Sequence, residues 1–291
     1  MSFDDMPEMP AMFLPGAADY AARILAGSKE VAARYPTVMD VAYGEDYWQK
    51  VDFYLPDDIG AGDLPVLCYI HGGAFRNGFK EWMGFVAPPF LDLPAIFASL
   101  SYRLVPTVTQ PRVVDDCFDA LKLVYDRVAG YGGSPNRIFV AGHSAGANLC
   151  AMLALHREQS TQRGMPADVV KGCFPNGGTY DVRRENAAPG SVLARSYEGR
   201  FDSDEEAAYC SPILFAAGNT TPFLVAWGGE DLALAQESSG KLVAALKQEP
   251  GVVEQHVWPG LDHFASNEAQ ADANDPWTVT ALKWLASPPS P

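Results

Sequence analysis

The stretch RIFVAGHSAGANLCAML, residues 137–153, begins as a strand and ends as a helix, with Ser144 between Gly142 and Gly146 at the changeover. A chain can turn that sharply only where the flanking residues are small, because bulkier ones would collide with the adjoining strand or helix. A serine hydroxyl is a weak nucleophile until a base takes its proton, and it must stand clear of the backbone to meet a carbonyl. GHSAG fits the G-x-S-x-G pattern that achieves this at a strand–turn–helix junction. The structural alternative is a serine N-cap for the helix starting near Ala145.

A second stretch points the same way. LCYIHGGAF, residues 67–75, ends an apolar run in His71-Gly72-Gly73-Ala74-Phe75. Acyl transfer builds negative charge on a carbonyl oxygen, and backbone N–H groups aimed there stabilise it. Gly72, Gly73 and Ala145 are the candidate donors, with Ala74 as a further one; a plain glycine turn is the alternative. Of the five histidines, His71 belongs to this loop and His143 adjoins the serine. His156 reads as a packed helix residue, and His256 lies within the run VVEQHVW. His263, in the turn-rich PGLDHFAS, is the candidate base, with His256 the second choice. The candidate acid is Asp231, delivered by PFLVAWGGEDLAL, with Glu230 its nearest rival and helix capping its structural alternative. The order Ser144, Asp231, His263 is nucleophile, acid, base.

Around these motifs, apolar runs alternate with helical patterns. PVLCYI (65–70), AIFASLSY (95–102), RIFVAG (137–142), VVKGCF (169–174), PFLVAW (222–227) and VVEQHVW (252–258) read as strands buried on both faces. TVMDVAY (37–43) and KVDFYL (50–55) alternate apolar and polar residues, which predicts an antiparallel N-terminal edge hairpin. Residues 113–128, 233–248 and 275–286 carry helical periodicity. The fold class is α/β, a mostly parallel central sheet with helices on both faces. A single domain over residues 1–291 is expected, with 1–36 as an N-terminal cap segment and the polar 180–209 as a lid or pocket segment.

Composition narrows the partners. The net charge is −15, from 21 basic and 36 acidic residues, with no basic run, so nucleic acid is not an expected partner. Five scattered cysteines without a CxxC pair suggest a reducing compartment. The acidic N-terminus lacks a signal-peptide pattern, and no apolar run approaches 18 residues, so the expectation is a cytoplasmic protein without membrane contact. A homodimer is left open.

The motifs IHGGAF, SYRLVP, GGSPNRIFVAGHSAGANL, GGTYDV, YCSPI, GGEDLALAQESS and LDHF resemble the α/β-hydrolase fold, in the branch of hormone-sensitive-lipase-like esterases. The chain is most similar there to kynurenine formamidase (arylformamidase)-like hydrolases, from about Asp40 to the closing helix. Ala74 departs from the third glycine common in that branch. The resemblance implies cleavage of an ester or activated amide through an acyl-enzyme on Ser144, with no metal or organic cofactor. Phe75, Trp82, Phe85, Tyr102, Asn176, Tyr180 and Phe264 are candidate substrate contacts, each equally suited to packing. The competing class is a non-catalytic small-ligand-binding protein on the same scaffold.

Overall fold

The computed structural model of the protein describes residues 3–10, 12, 14–60, 62–187, 190–191, 194–195 and 197–289. Eight strands form one sheet: β1 (Thr37–Ala42), β2 (Lys50–Tyr54), β3 (Leu64–Ile70), β4 (Ile96–Leu100), β5 (Gly133–His143), β6 (Val170–Asn176), β7 (Phe223–Gly228) and β8 (Val253–Trp258). Their order across the sheet is β1-β2-β4-β3-β5-β6-β7-β8. β1 pairs antiparallel with β2 and β2 with β4; every later neighbour is parallel. The edge hairpin and the parallel body both match the alternating and the continuous apolar runs.

Successive strand residues feed opposite sides of the sheet. Val66, Cys68 and Ile70 of β3 join one core with Ile138 and Val140 of β5. Leu67, Tyr69, Phe139 and Ala141 join the other. Burying each large apolar side chain contributes about 1.5–3 kcal/mol, so a slip of one residue would exchange the two faces at prohibitive cost. Helices α2 (Gln110–Arg127), α3 (Ala145–Leu155) and α4 (Ala233–Leu246) supply side chains to the first core. Helices α1 (Ala17–Arg34) and α5 (Pro276–Ala286) supply the second. All eleven residues of α3 are buried, and all but Asn148 are apolar or glycine. α5 is started by Pro276 and by Asp275, whose carboxylate accepts from the Trp277 N–H at 2.8 Å.

Two expectations need correction. β8 is not buried on both faces: of its six residues only Trp258 is buried. It has a sheet neighbour on one side alone, and its apolar run of valines and tryptophan is interrupted by Glu254, Gln255 and His256. His156, expected as a packed helix residue, is packed, with its ring stacked on Phe215 at 4.0 Å, but it stands at the C-cap just beyond α3 rather than within the helix. The segment expected to form a lid contains a short helix, Asp204–Tyr209, while residues 188–189, 192–193 and 196 of it lie outside the described residues.

Candidate active site

Ser144 occupies the turn from β5 into α3 at φ +56°, ψ −115°, a region that L-residues enter only when their surroundings force it. The surroundings do so by close approach. A methyl on Gly146 would lie 2.0 Å from the carbonyl oxygen of Ile70, and one on Gly142 would lie 2.3 Å from that of Gly146. The Ser144 N–H donates to the Asn176 carbonyl at the end of β6, at 2.8 Å. Glycine at both flanks therefore lets the elbow press against β3 while the hydroxyl stays partly exposed.

β7 ends in Gly228, and the loop after it delivers Asp231; β8 ends in Trp258, and the next turn delivers His263. The Asp231 carboxylate accepts from His263 Nδ1 at 2.7 Å. With that nitrogen donating, Nε2 is the bare one, and it accepts the Ser144 hydroxyl at 2.9 Å. Both Asp231 and His263 are buried. Asp231 Oδ1 also accepts from the Leu232 N–H at 2.6 Å, but the helix that follows has Leu232 at its N-cap and no side-chain cap bond, so Asp231 does not cap it. Gly177, at φ +63°, leaves room for the pair: a methyl there would lie 2.8 Å from Asp231 Oδ2 and 3.3 Å from His263 Nδ1. The rivals are otherwise engaged. Glu230 is exposed, Asp262 accepts from the N–H groups of Phe264 and Ala265, and the His256 ring packs against Trp258 on the edge strand.

The loop after β3 lies against the serine. A methyl on Gly72 would lie 3.1 Å from Ser144 Cβ. Gly73, Ala74 and Phe75 follow with φ of +114°, +55° and +64°, a sharp left-handed run. Among the described residues, no backbone carbonyl accepts from the N–H of Gly72, Gly73, Ala74 or Ala145. His71 anchors the loop, its ring stacked on Tyr102 at 4.3 Å while the Tyr102 hydroxyl donates to the His71 carbonyl at 3.0 Å. Burial holds the His71 ring neutral, lowering its pKa to about 4.

The candidate substrate contacts separate. Phe264 stands beside His263, with ring centres 5.6 Å apart, and Phe75 closes the left-handed loop. Tyr180 is wholly buried and presents no surface to a substrate; its hydroxyl accepts from the Gly178 N–H at 3.3 Å. Trp82 and Phe85 pack under α1, where Ser28 bonds the Trp82 carbonyl and the Phe85 N–H. Tyr102 serves the loop rather than a ligand, and Asn176 serves the elbow. Phe75 lies in the loop after β3 and Phe264 follows the histidine directly, so these two sit within the site's own loops.

Two residues were not singled out from the sequence. His143 donates from Nε2 to the His263 carbonyl at 2.8 Å, holding the backbone of the candidate base; burial and the neighbouring His263 keep its pKa well below the usual histidine range. Tyr20 of α1 stacks on Phe264 at 4.5 Å and accepts from Asn267 at 2.6 Å, so the N-terminal segment reaches the site. Neither contact has a signature in spacing, since each joins positions more than a hundred residues apart.

A mostly parallel eight-stranded sheet carrying a serine elbow, with an acid and a histidine on the loops after its last two strands, defines an α/β-hydrolase fold. Comparison with known proteins agrees. The family model BD-FAE matches residues 51–246, and the chain belongs to that family. An isoprenylcysteine alpha-carbonyl methylesterase of Arabidopsis thaliana is 24% identical over 84% of the chain and 61% of its own length. The chain thus spans about three fifths of that plant relative. Kynurenine formamidase of Danio rerio is 29% identical over 91% of the chain and 88% of its own. Among solved structures, an esterase of Pyrobaculum calidifontis shares the fold at a TM-score of 0.70 and 23% identity, covering 93% of both chains. A truncated carbohydrate esterase from gut microbiota does so at 0.74 and 18%, covering 87% of this chain and 96% of its own. Among the described residues, no helix is long and apolar enough to cross a membrane.

Proposed function

We propose that the protein is a serine hydrolase that cleaves an ester or an activated amide of a small molecule. The observation that carries this reading is the continuous relay from Asp231 through His263 to Ser144, at 2.7 and 2.9 Å. Ser144 Oγ attacks the carbonyl carbon as His263 Nε2 takes its proton, and the carbonyl oxygen becomes an oxyanion. The free amides of the 72–74 loop and of Ala145 are the groups that stabilise that charge, each worth about 3–4 kcal/mol of barrier. Collapse expels the alcohol or amine, which receives the proton from His263, and leaves an acyl group on Ser144. Water then attacks, gives its proton to His263, and releases the acid as Ser144 recovers its hydrogen. Asp231 keeps the imidazole in the reactive tautomer and stabilises its charged form.

The relatives frame the substrate question: one group is named for a methyl ester, the other for a formamide. A fluorophosphonate probe is expected to label Ser144 in the folded protein; absence of labelling would favour a non-catalytic ligand-binding protein. Rates on short p-nitrophenyl esters and N-formyl aryl amides then divide the two chemistries. Formyl amides turning over no faster than in buffer would remove the formamidase reading and leave the esterase one standing.

The acid is tested separately. Asp231→Asn is expected to lower kcat by about 10³- to 10⁴-fold, because the wrong tautomer is then favoured. Glu230→Gln should change kcat by less than about threefold, since that side chain is solvated. The reverse ranking in steady-state assays would overturn the assignment.

A further inference from the structure

Arg200 belongs to the polar segment expected to form a lid, yet its side chain is buried. The guanidinium lies 4.5 Å from the centre of the Phe75 ring, 5.0 Å from that of Phe201 and 5.5 Å from that of Tyr197. Nε and Nη2 both donate to Gln110 Oε1, at 2.9 and 2.5 Å. The Gln110 N–H returns a bond to the Arg200 carbonyl at 2.8 Å. Gln110 Nε2 donates onward to Asn148 Oδ1 at 3.3 Å, and Asn148 donates to the carbonyls of Thr179 and Cys210. Asn148 is in α3, four residues after Ser144. One line of contacts therefore runs from the residue next to Ala74 to the first turn of the helix that begins at the nucleophile.

Phe75 needs such a restraint. It and Ala74 are non-glycine residues held in the left-handed region, a conformation that persists only where the surroundings over-determine it. The Phe75 carbonyl accepts from the Val105 N–H at 2.9 Å, which fixes the backbone but leaves the ring to be held by something else. The neighbouring Arg76 side chain donates to the Glu198 carbonyl, a second tie from the same segment. An arginine is well shaped to hold both partners, since its flat face covers the ring while its fork reaches the glutamine.

We propose that Arg200 is a positioning residue: by clamping the Phe75 ring and Gln110 together, it holds the 72–75 loop and the Ser144 helix at one fixed spacing. The proposal rests on the serine-hydrolase reading above. It makes segment 197–201 part of the machinery that arranges the oxyanion donors, rather than a cover alone. A loop displaced from its donors weakens the transition state more than the ground state, so the loss falls on kcat.

The test uses the full chain. Arg200→Met, which keeps the stem, is expected to lower kcat on a p-nitrophenyl ester by about 10- to 100-fold. KM should move by less than about threefold. Affinity for an alkyl boronic acid, which forms a tetrahedral adduct on Ser144, should fall by the same factor as kcat. Phe75→Leu should act in the same direction, and the double variant should lose no more than the worse single one. Parental kcat in folded Arg200→Met, a loss confined to KM, or multiplied losses in the double variant would each overturn the proposal. If Arg200→Met does not fold, Arg200→Lys and Phe75→Leu carry the same readouts. Ser144→Ala separates the two levels. If it still turns over, the hydrolase reading has failed. If it is inactive while the Arg200 variants keep parental kcat, only the clamp has.

Discussion

Ser144→Ala and His263→Ala are each expected to abolish nearly all turnover, by about 10⁶-fold in kcat, and the double variant should lose little more. The reason is that neither group works without the other. Among the described residues, the one base bonded to the Ser144 hydroxyl is His263, through Nε2 at 2.9 Å, and removing it leaves an alcohol that keeps its proton at neutral pH. Removing the hydroxyl leaves a base with no nucleophile to activate except water. The residual rate in all three variants comes from the backbone amides and from binding, which the substitutions leave in place. Losses that multiply in the double variant would mean that Ser144 and His263 act in separate steps, and the relay would have to be abandoned. Circular dichroism on each variant guards the comparison, since neither side chain contributes much apolar packing.

Gly146→Ala is the second large effect, and it acts on the fold. The added methyl would lie 2.0 Å from the Ile70 carbonyl oxygen and 2.7 Å from that of His71. Both are backbone atoms at the end of a central strand, so no side chain can rotate aside. Either α3 retreats from β3, which opens the core where its buried face packs, or the elbow unwinds from the angle that presents Ser144. We expect a loss of about 3 kcal/mol or more. For a chain of this size, that lowers the thermal midpoint by about 6 °C or more. Hydrolysis should fall with it, even at temperatures where the variant remains folded. A variant with the parent's midpoint and rate would show that the close approach of helix and strand is not obligatory. Gly164→Ala, at a position with open space around it but a φ of +74°, is the informative comparison: it should cost about 1 kcal/mol from backbone strain alone.

The parts of the site that could be read from the sequence are those set by local rules. The elbow needs small residues two positions either side of Ser144, and the loop after β3 needs glycines; both requirements appear as short words in the chain. Asp231 and His263 were reachable because each follows an apolar run that ends in turn residues. What could not be read depends on contacts between distant positions. Nothing near Arg200 distinguishes it from the other arginines of a polar stretch, and its partners at 75 and 110 lie on separate elements. Tyr20 and His143 are likewise defined only by what folds against them. β8 misled because valines and a tryptophan suit a strand covered on one face or on both; what packs on each face decides that, and it is not written locally. Tyr180 misled for the converse reason: an aromatic beside a glycine pair can line a pocket or fill a core, and here it fills the core.

The histidine that faces Ser144 is 119 positions further along the chain. It stands in the turn that follows β8, the strand at the far edge of the sheet. During synthesis, the serine and the glycine loop leave the ribosome long before their proton acceptor exists, so a nascent or prematurely terminated chain carries an inert alcohol. Under the proposed mechanism, a chain that stops before residue 263 has the nucleophile and the glycine loop but not the base that activates them.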